Sequence, residues 1–427
     1  MIKLLTILSL LSFSAHASTS GSISLDQRFF DNDGVDNSND RGSAVSTNIR
    51  SNHAWNDFTF SVNILGRVDD QDSTRNIFIL QEAMIRYKFG TWELFGGFEK
   101  FNLGAHEVFK PTDNLNARNF DSDVENTEKF GELTYGIKKG FSSWDVSLFA
   151  LPGEEKHYIP GANSRLGVGI DVQEVDYIQD TDAKNFGAIA NLYTDLGDVT
   201  FFYLNHLDKK LPIFGNREYL IDLTTLACGQ KFCFDGTINT PYYYETKEFG
   251  VIASMIFSDW IIKLEAVSRN YDSSVDILTY NGGVIFDPTK LQEEGPEDHT
   301  DTAIGVEYTQ YLDSGAELRY LAEYAKVFGV SEDVAVKRFI FQDDLYFGVY
   351  LTMNDPMDTK FNLGGVIDLS GKSEGLYFAS FDRRLNQSWR IKSGLRYIDA
   401  KSSGVYPQGL EIFEDDHQAY ASLAFFF

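Results

Sequence analysis

Histidines are the residues of this sequence best suited to acid–base catalysis or metal binding. Six of the seven lie beyond residue 17: His53, His106, His157, His206, His299 and His417. A hydrolytic triad needs a serine or similar nucleophile beside a histidine, and a zinc site needs several ligands at short spacing. The sequence contains neither a G-x-S-x-G turn nor a paired-histidine metal motif. We therefore predict that the chain is not an enzyme and needs no cofactor.

Aspartates crowd the string DNDGVDNSND, and oxygen-rich strings can bind calcium because hard cations prefer oxygen ligands. The candidate ligands are Asp31, Asp33 and Asp36. The glutamate that closes an EF-hand loop is missing. Two alternatives stay open: solvated carboxylates, or carboxylates that share divalent ions with lipopolysaccharide. No firm metal site is predicted.

Ion passage is a second kind of chemistry, and it uses charged residues in rows. Arg390, Lys392 and Arg396 form one basic row, and Arg86 and Lys88 form another. Facing rows of opposite sign order water and bias the passage of ions. The predicted pore-lining residues are Arg50, Arg86, Lys88, Glu99, Lys263, Glu265, Arg319, Arg390, Lys392 and Arg396. The alternative is that they are ordinary wall residues that keep a pore wet.

These charges belong to segments that alternate with a period of two, as in β-strands. In residues 82–89 (EAMIRYKF), apolar side chains interleave with polar or charged ones, and residues 92–99 (WELFGGFE) follow after two turn residues. Such a short connection marks a hairpin. The same alternation occurs in 58–64, 260–269 and 389–397. No comparable helical pattern is present, so the sequence predicts an all-β fold.

About eighteen strands can be counted in this way. They are predicted at 21–30, 43–53, 57–67, 78–89, 92–101, 128–138, 143–151, 184–195, 198–206, 245–257, 259–270, 301–312, 315–327, 339–352, 358–368, 373–383, 389–399 and 416–427. Short connections alternate with long ones, and aromatic residues recur at strand ends. Short periplasmic turns, long extracellular loops and aromatic girdles are typical of a transmembrane antiparallel up-and-down β-barrel.

Composition excludes other classes. The 427 residues include 63 acidic and 37 basic side chains, for a formal net charge of −26. Nucleic-acid binding needs clustered basic residues, so an acidic excess of this size argues against it. No stretch approaches the roughly 20 apolar residues of a membrane-spanning helix.

The first segment resembles a targeting signal. Lys3 precedes an apolar run, and Ala15 and Ala17 frame a small-x-small cleavage pattern. We predict a signal peptide at 1–17 and a single barrel domain at 18–427. In an exported protein, close cysteines pair, so Cys228 and Cys233 are predicted to form a disulfide rather than a metal site.

The end of the chain carries a more specific pattern. Ala419, Ala421, Leu423, Phe425 and Phe427 alternate up to the final residue. Together with the signal segment, this resembles outer-membrane β-barrel proteins, and porins in particular. The resemblance implies an outer membrane of a Gram-negative bacterium, recognition of Phe427 by the barrel-assembly machinery, contact with lipid and lipopolysaccharide, and a possible homotrimer.

Residues 96–120 (GGFEKFNLGAHEVFKPTDNLNARNF) are locally similar to alginate-export-like and related large porins. The similarity lies in Leu103-Gly104 and in residues 111–116, whereas Ala117 and Leu103 replace the proline and tryptophan of that pattern. The loop at 102–127 is expected to fold inward and narrow the channel, the alternative being that it stands outside. Its filter candidates are Glu107, Lys110, Asp113, Arg118, Asp121 and Asp123.

The sequence therefore predicts an outer-membrane channel, or porin, for passive or substrate-selective diffusion of small polar solutes. The alternative is a surface-exposed barrel that binds a partner or serves as a scaffold through its long acidic loops.

Overall fold

The computed structural model of the chain describes most residues from 17 onward. The described residues are 17–31, 40–70, 72–122, 127–153, 155–160, 164–166, 185–210, 213–215, 240–271, 277–280, 291–294, 296–370, 374–400, 409–413 and 416–427. Apart from Ala17, the predicted signal peptide lies outside them. So do Asp33, Asp36, Asp123, Cys228 and Cys233, and the corresponding hypotheses stay predictions.

Eighteen antiparallel strands form one closed barrel, as the sequence predicts. They are β1 Ala17–Phe30, β2 Arg41–Trp55, β3 Phe58–Asp69, β4 Ile77–Phe89, β5 Trp92–Glu99, β6 Glu132–Gly140, β7 Trp144–Ala150, β8 Phe186–Thr194, β9 Gly197–Leu207, β10 Glu245–Phe257, β11 Trp260–Tyr271, β12 His299–Tyr311, β13 Glu317–Phe328, β14 Asp343–Thr352, β15 Lys360–Asp368, β16 Gly375–Arg384, β17 Trp389–Asp399 and β18 Gln418–Phe426. The predicted all-β fold class is confirmed.

The first and last strands close the barrel. Ser22 pairs with Phe426 and Phe30 with Gln418. Beyond this register, Gly21 and Phe427 exchange two backbone hydrogen bonds of 3.0 Å. Closure leaves no unpaired strand edge, which is what a hydrocarbon environment requires of a sheet.

Short and long connections lie at opposite ends of the barrel. Because neighbouring strands are antiparallel, every second connection falls at the same end. The short ones, at 56–57, 90–91, 141–143, 195–196, 258–259, 312–316, 353–359 and 385–388, define the short-turn end. In the two-residue turn after β2, Asn56 has a φ of 51°, a conformation that asparagine tolerates in tight hairpins. The other end is called the long-loop end.

The outer face of the barrel is apolar. Large side chains at strand centres are strongly exposed, including Leu25, Leu264, Ile304, Leu363 and Leu395. In water such a surface would cause association, whereas in a bilayer it faces hydrocarbon.

All five tryptophans lie at the short-turn end. Trp55 ends β2, and Trp92, Trp144, Trp260 and Trp389 begin β5, β7, β11 and β17. Aromatic side chains are enriched where a membrane meets water. The tryptophans therefore mark the short-turn edge of the apolar band.

The remaining elements in the described part of the chain are short. They are one α-helix, α1 (Glu332–Arg338), the 3-10 helices Ser73–Arg75 and Gly409–Phe413, and the strands Arg118–Asn119, Glu128–Lys129, Ile213–Gly215, Thr240–Tyr242, Ile277–Tyr280 and Leu291–Glu294. No described helix is long and apolar enough to cross a membrane.

Most predicted strand boundaries shift by one to four residues, and two of these shifts have a common origin. The strand expected at 128–138 begins at Glu132, because residues 128–129 pair with residues 118–119 instead. The strand expected at 92–101 ends at Glu99, because Phe101 N–H donates to Asn116 Oδ1 at 2.8 Å. Both differences arise from the segment that follows β5.

Candidate functional site

The ten residues predicted to line a pore all lie on the inward face of the barrel, since the exposed apolar residues alternate with them. Most are paired. Ion pairs join Arg86 to Glu99, Lys88 to Glu93, Lys263 and Arg319 to Glu307, and Arg390 to Asp382. Arg50 and Lys392 are exposed and form no ion pair among the described residues.

The segment after β5 lies inside the barrel. Residues 100–122 are here called the inner loop. They hydrogen-bond to inward-facing residues of β10, β11 and β13 across sequence separations of 134 to 216 residues. The described part of 102–127 thus occupies the inward position expected from the sequence.

Glu265 of β11 anchors the loop through both carboxylate oxygens. Oε1 accepts hydrogen bonds from the backbone N–H of Ala105 (2.6 Å) and His106 (3.0 Å). Oε2 accepts from the Thr112 hydroxyl at 2.5 Å. The side chain of Glu265 is fully buried, and a buried carboxylate is costly unless its oxygens are bonded. Glu265 therefore lies beneath the loop and not on open wall.

Glu323 of β13 is a second anchor. Its carboxylate accepts hydrogen bonds from three consecutive backbone N–H groups, those of Glu107 (2.6 Å), Val108 (3.0 Å) and Phe109 (3.1 Å). Successive N–H groups that converge in this way form a concave anion-binding site. In this barrel the bound anion is a wall carboxylate, so the backbone conformation of the loop is specified by the wall.

Arg269 of β11 anchors the middle of the loop. It is fully buried, and its Nη2 donates to the carbonyl of Pro111 at 2.6 Å. The same guanidinium pairs with Glu248 (Nε to Oε1, 2.9 Å) and with Asp301. Asn114 Nδ2 donates to Glu248 Oε1 at 2.7 Å. A buried cation between two buried carboxylates tolerates little movement, because each partner depends on the others.

Apolar side chains of the loop pack on the same wall. Leu103 and Leu115 join Phe149, Leu151, Phe202, Leu204, Ile252 and Val267. Phe109 joins Ala303, Leu321, Ala325, Tyr346 and Val366. Each buried side chain of this kind stabilises the packed state by about 1.5–3 kcal/mol. The loop therefore covers the side of the lumen formed by β7 and β9–β15.

Two of the predicted filter residues, Asp113 and Arg118, form an ion pair with each other. Asp113 lies between Arg118 Nη2 (3.1 Å) and Lys129 Nζ (2.6 Å). Burial, offset in part by Asp113, lowers the pKa of Lys129 to about 8. Asp113 therefore binds Arg118 and Lys129 together, and a role of these residues in ion selection stays a prediction.

The other described filter residues differ in their exposure: one is buried and two are exposed. Asp121 is fully buried and accepts hydrogen bonds from Ser164 (2.5 Å) and Thr74 (2.8 Å), and burial raises its pKa. Glu107 and Lys110 are exposed and face the open part of the lumen.

His157 fixes the far end of the loop. Its Nδ1 accepts a hydrogen bond of 2.9 Å from the backbone N–H of Arg118, and its ring packs on Phe120 and Tyr243. Burial, followed by the positive charges of Lys209 and Arg118, lowers the pKa of His157 to about 3. His157 is therefore neutral over the physiological pH range and acts as a hydrogen-bond acceptor.

Open space remains between the loop and the opposite wall. One cavity of about 220 Å³ lies between loop residues 107–110 and the inward faces of β14–β18. A second, of about 290 Å³, lies towards the long-loop end beside Asp26, Arg28 and Arg396. Lys392 and Tyr420 line both cavities, so the two spaces meet there.

The other predicted sites are not assembled in the described part of the chain. There, no group of three or more His, Cys, Asp or Glu side chains could hold a metal ion. Asp31 is exposed at the start of the first long loop. His206 lies 3.4 Å from Glu248, and His299 lies 3.8 Å from Asp301, so both belong to the Arg269 network.

Sequence reasoning did not single out Glu248, Tyr420 or Asn362. The inward–outward alternation of side chains along each strand could have identified them. Phe249 is exposed on the outer face, which places Glu248 inward. Tyr420 likewise stands between the outward-facing Ala419 and Ala421 of β18.

The closed sheet, the apolar outer band and the tryptophan ring define a β-barrel of the outer-membrane class. Solved structures with similarity over nearly the whole chain include Wzi of Escherichia coli, described as a carbohydrate-binding outer-membrane β-barrel involved in group 1 capsule assembly. It is 9% identical, with a TM-score of 0.50, over 99% of this chain and 86% of that chain. At this identity, the likeness shows a shared fold.

Two further structures are porins. Pseudomonas putida OprB is 10% identical with a TM-score of 0.47, over 96% of this chain and 94% of its own. A mutant of Rh. blastica porin is 13% identical with a TM-score of 0.41, over 96% of this chain and all of its own. No protein-family model and no curated protein matches the sequence.

Proposed function

We propose that this chain is an outer-membrane channel of a Gram-negative bacterium through which small polar solutes diffuse passively, its width set by the inner loop. The observation that supports this most is the asymmetric filling of the lumen. The loop packs on one side and leaves cavities along β14–β18 that are lined by both polar and apolar side chains. Passage needs no covalent step and no cofactor.

The charges beside the open space support passage of polar solutes. Lys110 and Lys392 line the smaller cavity, are exposed and form no ion pair among the described residues. Uncompensated charges on a wet wall act on passing solutes more strongly than paired ones. Insertion by the assembly machinery through Phe427, contact with lipid and lipopolysaccharide, and a homotrimer belong to the same proposal.

A second candidate is a barrel that binds a partner through its long acidic loops. The observation that favours it is the density of the loop packing, since Glu265, Glu248 and Arg269 have no exposed side-chain surface. A loop held this firmly could also act as a plug that closes the lumen, as expected of a barrel that binds a partner and does not conduct.

Single-channel recording in planar bilayers tests the proposal. We expect discrete currents from the wild-type protein and larger ones after deletion of residues 105–120, because the deletion removes the packed part of the loop. The heat-dependent shift in gel mobility, typical of folded barrels, checks that both proteins are folded. Folded protein without current in either form would overturn the channel and favour the binding barrel.

A further inference from the structure

We infer that the junction of the two lumen cavities is a binding subsite for a small organic anion that carries hydroxyl groups, such as a sugar acid, held by Lys392 and Lys110. The inference rests on the proposed channel and names its substrate class. Both lysines line the 220 Å³ cavity, Lys110 from the loop and Lys392 from β17. An anion there meets positive charge from two sides.

Lys392 differs from its neighbours in the basic row of β17. Arg390 is bound by Asp382 and by Asp358 at 3.1 Å, and its charge is largely compensated. Lys392 is exposed, and its Nζ lies 5.9 Å from the centre of the Tyr420 ring, with no ion pair in the described chain. Because no carboxylate pairs with it, its charge adds to the field that an anion in the lumen meets.

The carboxylates that line these cavities, those of Glu107, Asp26 and Asp416, form no ion pair with either lysine, and Asp416 pairs with Arg165 at 2.6 Å. Glu107 shares the smaller cavity, but its carboxylate lies 3.4 Å from Arg319. Asp26 lines the larger cavity and accepts hydrogen bonds from three serine hydroxyls, those of Ser24, Ser46 and Ser422. The lysines therefore remain available to a solute.

Hydroxyl recognition comes from the wall opposite the loop. Asn362 and Ser380 line the smaller cavity and are hydrogen-bonded to each other at 3.1 Å. Amide and hydroxyl groups can bond to an alcohol, and the aromatic side chains of Tyr350 and Tyr420 beside them offer flat apolar surface. This combination fits a polyhydroxylated solute better than a bare inorganic anion.

Cavity size sets the scale of the solute. A volume of about 220 Å³ is several times the ~30 Å³ that one water occupies in the liquid. A molecule of about a dozen heavy atoms would span the junction of the two cavities. This is the size of a single sugar acid and excludes a folded polymer.

Block of single-channel current by gluconate, compared with glucose, tests the inference. We expect gluconate to block wild-type current at lower concentrations than glucose, and the K392Q variant to need about tenfold more gluconate, as for loss of one charge-assisted hydrogen bond. K110Q should act in the same direction. The matched control is K139Q, which removes the same charge near Trp92 at the short-turn end, 4.5 Å from its ring, and should leave block unchanged.

Calorimetric titration of gluconate into detergent-solubilised protein separates the two proposals. Absence of current together with gluconate binding that K392Q weakens would overturn the channel and support the subsite. Normal current with equal effects of gluconate and glucose, or K392Q behaving like K139Q, would overturn the subsite and leave the channel standing.

Discussion

The carboxylate of Glu323 accepts a hydrogen bond of 2.6 Å from the backbone N–H of Glu107, a residue 216 positions earlier in the chain. Glu107 thus contacts Glu323 through its backbone N–H, while its side-chain carboxylate forms an ion pair with Arg319. This contact places the loop at a fixed depth in the lumen. The width of the open space beside the loop consequently depends on wall carboxylates that the loop covers.

Substitution of Glu323 by glutamine should loosen the loop. An amide has one acceptor oxygen where the carboxylate has two, so at least one of the three loop N–H groups loses its partner. A buried unsatisfied donor costs about 1–3 kcal/mol. We expect larger and noisier single-channel currents from E323Q.

The control for that variant is E317Q on the same strand. Glu317 accepts a hydrogen bond from Asn354 at the exposed short-turn end, away from the loop. Its currents should match the wild type. Wild-type currents from E323Q would show that Glu323 does not hold the loop.

Substitution of Gly305 by alanine should create a steric clash with the inner loop. A Cβ at this position would lie 2.8 Å from Cδ2 of His106, closer than packed atoms allow. Overpacking of this kind costs about 1–3 kcal/mol and would shift His106 from Glu265. The midpoint of urea unfolding, followed by the gel-mobility shift, should fall.

The control for this variant is the substitution of Gly140 by alanine. A Cβ there meets its nearest neighbour, the carbonyl oxygen of Thr91, at 3.6 Å, an ordinary contact. G140A should keep the wild-type midpoint. If G305A also kept it, the close approach of His106 would not constrain the loop.

Replacement of Arg269 by methionine should be strongly destabilising. The change leaves Glu248 and Asp301 buried beside each other without the guanidinium, and breaking a buried ion network in this way costs about 3–5 kcal/mol. Equilibrium unfolding in urea measures the effect. By comparison R390M, which removes a partly exposed pair with Asp382, should cost about 1 kcal/mol or less. Equal losses in the two variants would contradict the anchoring role of Arg269.

The stability of the barrel should depend on pH through His157. Its folded pKa is about 3, whereas an unfolded histidine takes up a proton near pH 6.5. Between these values the unfolded chain binds a proton that the folded protein does not. The free energy of unfolding therefore falls as pH falls, by about 1.4 kcal/mol per unit well inside the window.

His157→Asn removes the titrating group while keeping an acceptor for the Arg118 N–H. Urea unfolding at several pH values from 7 to 4 should show a shallower loss of stability in this variant than in the wild type. Parallel curves would mean that His157 does not contribute to the acid sensitivity.

The strands could be predicted from sequence because the signal is local. Neighbouring residues of a strand point to opposite faces, so the apolar Leu264 indicates that Glu265 points inward. The same rule places Lys392 inward. The burial of Glu265 could not be predicted in this way. It depends on loop residues 159 positions away, whose backbone donors carry no side-chain signature.

The candidate site was predicted in part for the same reason. Glu107 and Lys110 were expected in a constriction and do face the open lumen. Asp113 and Arg118 were expected in the same filter, and the sequence did not indicate that Asp113 pairs with both Arg118 and Lys129. Charge type and position follow from the sequence, whereas partner choice depends on tertiary contacts.

The tryptophan ring has a consequence for spectroscopy. Because all five indoles sit at the short-turn edge, the tryptophan emission of the protein originates from a single depth in the bilayer. Lipids with a quencher at the matching acyl position would dim the whole signal, and those with a quencher in the far leaflet would leave it bright. The native fluorescence therefore reports which end of the barrel enters the membrane first, without any added label.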